Sequence, residues 1–166
     1  NEDAAIGILL LGSDPNDDIL TYEIVDFPLN GLLSGEIPDI TYIPSINYFG
    51  EDSFTYIVSD GEWTSELATV TIQIESINDA PVVFNFSINS FEDFPLEIQL
   101  LSTDSENDNI EYTINMNPEN GQVSLLDNIV LYSPNQDYNG IDYFEYISND
   151  GDLTSNIGIV EVIVEP

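Results

Sequence analysis

Apolar and polar positions alternate with period two in one run after another. Ile6, Ile8 and Leu10 keep one phase, as do Phe54, Tyr56 and Val58. Ala68, Val70, Ile72 and Ile74 are separated by Thr69, Thr71 and Gln73. This is the pattern of a half-buried antiparallel strand, with one face on a core and the other in water. Helical spacing is sustained nowhere. Turn residues punctuate the runs at Asn30-Gly31, Asn47 to Gly50, Asp60-Gly61, Asn120-Gly121, Asn139-Gly140 and Asp150-Gly151. That rhythm predicts an all-β sandwich.

The pattern is written twice. Ninety residues after Glu2-Asp3, Asp14, Asp18, Pro28 and Gly31 come Glu92-Asp93, Asp104, Asp108, Pro118 and Gly121. The densest stretch, from Tyr42, Pro44 and Tyr48 through Asp52, Phe54 and Tyr56 to Asp60-Gly61, recurs as Tyr132, Pro134, Tyr138, Asp142, Phe144, Tyr146 and Asp150-Gly151. A fixed period of this kind marks a repeat array. The expected organisation is two tandem Ig-like Greek-key sandwiches, residues 1–76 and 82–166, in an elongated arrangement. The linker between them is 77–81, Ile77-Asn78-Asp79-Ala80-Pro81, where Pro81 fixes its own φ and biases Ala80 toward extended backbone.

In the second unit seven strands are expected, near Val82 to Ile88, Pro95 to Leu101, Ile110 to Met116, Gly121 to Leu125, Ile129 to Ser133, Asp142 to Ser148 and Asn156 to Glu165. The first unit has counterparts of the last six only. Either the stretch begins mid-repeat or another chain supplies the strand by edge addition; the expectation is the former, with Ile72 and Ile74 left bare along the vacancy. Tyr22, Tyr42, Phe54 and Tyr56, with Tyr112, Tyr132, Phe144 and Tyr146, hold inward strand phases and are expected in the cores. Trp63 stands on a loop, where packing against the next turn is expected over stacking on a sugar. The Asn85-Phe86-Ser87 sequon falls in an expected strand.

Charge changes this picture most. Thirty-two Asp and Glu face no Lys, Arg or His, for a formal charge of -32. No side-chain salt bridge can form within the chain, and nucleic acid or an anionic membrane surface would be repelled. An apolar fraction of 42 %, with nine Tyr and eight Phe, is nevertheless enough for a folded core. The absence of Cys excludes disulfides and zinc–thiolate sites. Without His or Lys there is no base for a nucleophilic triad, and without Lys no phosphate-binding loop. Paired carboxylates at loop tips, without a cleft lined by aromatics, do not make a glycosidase. The chain is expected not to be an enzyme.

In a Greek key, successive connections alternate between the two ends of the sandwich. This brings the Glu2-Asp3 loop to the C-terminal end of the first unit. It brings Asp104 to Asp108 and Asn149 to Gly151 to the N-terminal end of the second, with Asn78-Asp79 between. Two carboxylates about 4 Å apart repel by roughly 4 kcal/mol at an effective dielectric of 20. Such a group needs a counter-cation, and Ca²⁺ accepts carboxylates, amide oxygens and carbonyls in irregular loops. The spacing Asp104-x-Glu106-x-Asp108 puts alternate side chains on one side of a turning loop, and Asp14-x-Asn16-x-Asp18 does so in the first unit. The bland alternative is that these are solvated turn residues on an acidic surface.

Glu-Asp at the unit start, Asp14 to Asp18 before Leu20-Thr21-Tyr22, Tyr42-Ile43-Pro44, Asn47 to Tyr56, Ser59-Asp60-Gly61 and Asn78-Asp79-Ala80-Pro81 together resemble the cadherin-like and bacterial Ig-like tandem repeats of giant extracellular adhesins and fibres. The resemblance covers the whole chain. It implies Ca²⁺ at the junction, with Glu2, Asn78, Asp79, Asp104, Glu106 and Asp150 as ligands and Asp3 and Asp108 beside them. The chain departs from the cadherin pattern in lacking the extra Asn before Ala80 and in carrying Glu106 where Asp is usual. The implied role is a structural repeat of an extracellular, cell-surface fibre or adhesin stalk, whose partners are neighbouring repeats of the same or an identical chain. Two alternatives stand beside it. One is an adhesin module that binds carbohydrate or a surface protein, which an exposed aromatic pocket in one repeat but not the other would favour. The other is an accessory module of a secreted enzyme.

Overall fold

The computed structural model describes residues 1–166, which form strands, turns and loops and no helix. The chain divides into two compact units, Asn1–Ile77 and Asn78–Pro166. Each is an Ig-like, cadherin-like β-sandwich. Unit 1 contains β1 (Ile6–Leu9), β2 (Thr21–Asp26), β3 (Gly31–Glu36), β4 (Asp39–Pro44), β5 (Gly50–Ser59) and β6 (Ala68–Ile74). Its sheets run β2-β5-β6 and β1-β4-β3, with every pairing antiparallel. The alternation along the strands is what fills the space between them: Leu10, Ile40, Tyr42, Phe54, Ile72 and Ile74 form the buried cluster. Ile72 and Ile74, expected bare, are in fact 8 % and 4 % exposed. They point into the core, so the outer edge of β6 exposes backbone rather than these side chains.

Unit 2 contains β7 (Val82–Val83), β8 (Phe86–Phe91), β9 (Leu96–Gln99), β10 (Ser102–Thr103), β11 (Glu111–Met116), β12 (Gly121–Leu126), β13 (Ile129–Pro134), β14 (Gly140–Asn149) and β15 (Gly158–Glu165). The sheets are β11-β14-β15-β8 and β12-β13-β9, with a two-stranded ribbon β10-β7. Val130, Tyr132, Phe144, Tyr146, Val160 and Val162 are fully enclosed between them.

Two expectations are corrected here. The single strand Val82 to Ile88 is two strands, β7 antiparallel to β10 and β8 parallel to β15. Side chains replace the ladder where the chain crosses over. Asn156 accepts from the N–H of Val83 and donates to its carbonyl (both 3.0 Å). The Tyr146 hydroxyl donates to the Phe84 carbonyl at 2.8 Å, and Asn85 Oδ1 accepts from the Ile159 N–H. The sequon asparagine therefore lies at the crossover, not within a strand. Trp63 is 78 % exposed and does not fold onto the next turn.

Both cores are keyed by the same buried group. Asp52 receives the N–H groups of Leu29 (3.1 Å), Asn30 (2.9 Å) and Ser53 (2.9 Å) and the hydroxyl of Tyr42 (2.8 Å). Asp142 receives those of Glu119, Asn120, Tyr143 and Tyr132. Burial acts to raise Asp52, but the hydrogen bonds from Tyr42, Ser53, Asn30 and Leu29 outweigh it and hold the carboxyl below its ordinary value. Burial, then the bond to the aspartate, push the Tyr42 and Tyr132 hydroxyls well above the ordinary tyrosine range. Gly31 and Gly121 make room for the two rings: a Cβ at Gly121 would lie 2.6 Å from Tyr132, far inside contact distance.

Candidate metal centre

The acids sort into three settings. At the end of unit 1, the Glu2 N–H bonds the Glu75 carbonyl just past β6 (2.8 Å), and the buried Glu2 carboxylate accepts from the Ile77 N–H through Oε1 at 2.6 Å. Its second oxygen, Oε2, is buried without a partner. Asp3 has φ 55° and brackets the neighbouring loop by accepting from the Asn47 N–H (3.1 Å). Asp93 does the same for Asp137 in unit 2, so this bond belongs to the repeat itself.

At the opposite end of unit 1, Asp14 Oδ1 accepts from the N–H groups of Asn16 (2.7 Å) and Asp18 (3.2 Å), which curls the loop on itself. One oxygen each of Asp14, Asp18 and Asp60 then lie within 4.8 Å of one another. Asp60 is held below its ordinary value by the amides of Trp63 and Glu62. The spacing of Asp14 and Asp18 was legible, whereas the inclusion of Asp60 was not. The signal that identifies Asp60 is its match to Asp150 ninety positions on.

At the start of unit 2, the loop after β10 folds in the same way, with the Asp108 N–H donating to Asp104 Oδ1 at 2.9 Å. One oxygen each of Asp104, Glu106 and Asp108 lie within 4.8 Å of one another. The segment before β7 is bonded onto this loop. The Asp79 N–H donates to Glu106 Oε2 and the Asn78 side-chain amide to Asp150 Oδ2, each at 3.0 Å. Asn78 and Asp79 therefore lie against unit 2. Asp150 is otherwise occupied: Oδ1 caps the hairpin turn by accepting from Asp152 (2.7 Å) and Leu153 (2.6 Å). The Leu153 amide is the main influence holding its carboxyl below the ordinary value.

The donor set fits a hard divalent cation. Asp79 Oδ2, Asp104 Oδ2 and Glu106 Oε1 are buried oxygens with no hydrogen-bond partner. A buried carboxylate oxygen without a donor is costly, and this chain has no Lys, Arg or His to compensate it. All the ligand atoms are oxygens on irregular loops, which suits Ca²⁺ rather than a thiolate- or imidazole-seeking metal.

A comparison with curated proteins gives no match. The family described as bacterial Ig domain matches residues 1–73 and 78–163. Among solved structures, human mucin-like protocadherin EC1-2 is similar at a TM-score of 0.53 and 14 % identity, over 99 % of this chain and 99 % of that one. Extracellular cadherin domains 3-6 of protocadherin gamma B2 are similar at 0.53 and 16 %, over 92 % and 42 %. An endo-fucoidan hydrolase of glycoside hydrolase family 107 is similar at 0.43 and 22 %, over 99 % of this chain and 27 % of that one. The chain spans 24 %, 27 % and 32 % of the length of three such hydrolase chains. At these identities the likeness is one of fold: tandem cadherin-like repeats.

Proposed function

The chain belongs to the bacterial Ig domain family in both its units, and from that premise we propose that it is a non-enzymatic structural repeat of an extracellular fibre or adhesin stalk. Calcium makes it rigid where one unit gives way to the next. The ligands are Asp79, Asp104, Glu106 and Asp108 at the start of unit 2, with Asn78 and Asp150 bonded to each other beside them. Glu2 and Asp3, in unit 1, are the further ligands that the resemblance to cadherin-like repeats implies. Its partners along the fibre are further repeats of the same kind.

One observation carries this reading. Glu2 Oε2, Asp79 Oδ2, Asp104 Oδ2 and Glu106 Oε1 are buried without partners, in a chain with no cationic side chain. Turn-forming acids on a solvated surface would have water at these oxygens. The hydrogen bond from the Ile77 N–H to Glu2 adds support, because Ile77 is the residue before Asn78 and ties the Glu2 carboxylate to the exit of unit 1.

The test is a Ca²⁺ titration of chelator-treated protein at constant ionic strength, followed by calorimetry and thermal unfolding. A ligand at a hundredfold excess over its Kd adds about 2.7 kcal/mol to stability, which corresponds to roughly 5–10 °C for a protein of this size. Asp104→Asn and Glu106→Gln together should abolish both the heat and the shift, and Mg²⁺ should not substitute. Unchanged melting of the parent protein on adding Ca²⁺ rules the calcium reading out.

A further inference from the structure

Strands β2 and β3 are each one edge of the two sheets of unit 1, and between them opens a groove of about 300 Å³. Tyr22, Ile24, Phe27, Leu33, Ile37 and Ile40 line it. Phe27 is 65 % exposed and Ile37 44 % exposed, although neither is needed to close the core. The gap in unit 2 that overlaps it at Tyr112, Leu125 and Asp127 is lined otherwise by Asn109, Ile110, Glu111 and Asn128. At matched positions Phe27 is replaced by Asn117 and Ile37 by Asp127, while the neighbouring exposed pair Leu32 and Ile43 becomes Gln122 and Ser133. The fold therefore does not require Phe27 and Ile37 to be apolar.

The acids are placed differently in the two units, with Glu111 and Asp127 lining the gap of unit 2. Glu23 lines the unit 1 groove, Asp26 and Glu36 adjoin Phe27 and Ile37 in sequence, and Asp39 pairs with Glu36 across the β3–β4 hairpin. All four are exposed. Their unit 2 counterparts are Thr113, Met116, Leu126 and Ile129, none of them charged. Unit 1 thus sets exposed Phe27 and Ile37 beside four exposed acids, whereas unit 2 keeps the apolar positions Tyr112, Ile114, Val123 and Val130 but has Asn117 and Asp127 in place of Phe27 and Ile37.

We infer that the β2/β3 groove of unit 1 is a docking site for an extended segment of a partner protein that alternates apolar and basic side chains. The open edges of β2 and β3 offer N–H and C=O groups to such a strand, its apolar residues fill the groove, and its Lys or Arg side chains meet the four carboxylates. A second copy of this chain does not fit, since it brings no cation and another 32 acids to an already acidic rim. A neutral sugar would make no use of the rim and would find no amide side chains in the groove. This inference does not depend on calcium at the other site.

The probe is a synthetic decapeptide of alternating Val and Arg, titrated onto the full chain at about 0.15 M salt and followed by methyl NMR. A matched peptide with citrulline for Arg removes the charge and keeps the shape. Shifts are expected at Ile24, Leu33 and Ile37 and not at Val123 or Leu125. The citrulline peptide should bind at least about tenfold more weakly, and so should Phe27→Asn, which installs the residue that unit 2 carries at the same place. An unchanged spectrum of the free variant outside the groove establishes that it folds. Four results would each overturn the inference: no binding, shifts spread over both units and indifferent to Phe27→Asn, equal binding of the citrulline peptide, or a concentration-dependent dimer that Phe27→Asn abolishes.

Discussion

The carboxylate of Asp52 is the most heavily engaged single group in unit 1. It accepts four hydrogen bonds, from Leu29, Asn30, Ser53 and Tyr42, and so ties the start of β5 to the turn before β3 and to β4. Replacing it by Asn keeps the shape but turns one acceptor into a donor facing donors. With bonds to a charged acceptor contributing about 1.5–3 kcal/mol each in mutational series, Asp52→Asn should cost unit 1 roughly 3 kcal/mol in urea unfolding at neutral pH. The pH dependence has a definite sign. The folded carboxyl titrates below its ordinary value, so its contribution is fully present above the unfolded value of about 4 and is lost as pH falls through the folded one. The gap between parent and variant should therefore narrow from pH 7 to pH 3; a gap that stays constant would mean the carboxylate charge is not what matters. The recurrence of Asp52 and Tyr42 as Asp142 and Tyr132 was legible from spacing alone, but their bond was not. A period-two pattern says which face a residue takes and nothing about which buried polar groups meet.

Element by element, the strands with clean alternation were legible, β6 being the plainest, with Thr69, Thr71 and Gln73 outward and Ile72 and Ile74 inward. What local pattern could not show was the crossover from β7 to β8. There the backbone of Val83 and Phe84 bonds to the side chains of Asn156 and Tyr146, and the Asn85 side chain accepts from the Ile159 N–H, whereas Val82 to Ile88 reads as one run. The parallel pairing of β8 with β15 was likewise invisible, since period two is the same in either direction. The loop acids show the same division. Asp104, Glu106 and Asp108 were legible from spacing within one loop, but the pinning of Asp79 to Glu106 depends on tertiary structure. The edge makes a testable contrast. Strand β15 is paired on both sides, by β14 and β8, and β6 on one side only, by β5. Amides of β6 facing away from β5 should exchange with solvent much faster than those of β15 facing β8. Equally slow exchange in both would mean that something covers the β6 edge in solution.

At the scale of the whole molecule, 32 carboxylates and no basic side chain make self-repulsion the one electrostatic effect that no internal pairing offsets. Repulsion is stronger in the folded chain, where the acids share a smaller volume, than in the expanded unfolded one, so screening should favour folding. The Debye length falls from about 30 Å at 0.01 M ionic strength to about 3 Å at 1 M, which takes it from a distance spanning a whole unit to one shorter than the spacing of neighbouring side chains. Chelator-treated protein should accordingly melt several degrees higher in 1 M than in 0.01 M sodium chloride. Potassium chloride should act equally, because diffuse screening does not distinguish the two cations. A calcium-specific site behaves differently: it saturates at low concentration and is erased by Asp104→Asn with Glu106→Gln, whereas the monovalent effect should survive that double substitution nearly unchanged. Melting that is insensitive to sodium chloride would mean the acids are as far apart, electrostatically, in the folded chain as in the unfolded one. The loops where three carboxylates share less than 4.8 Å argue against that outcome.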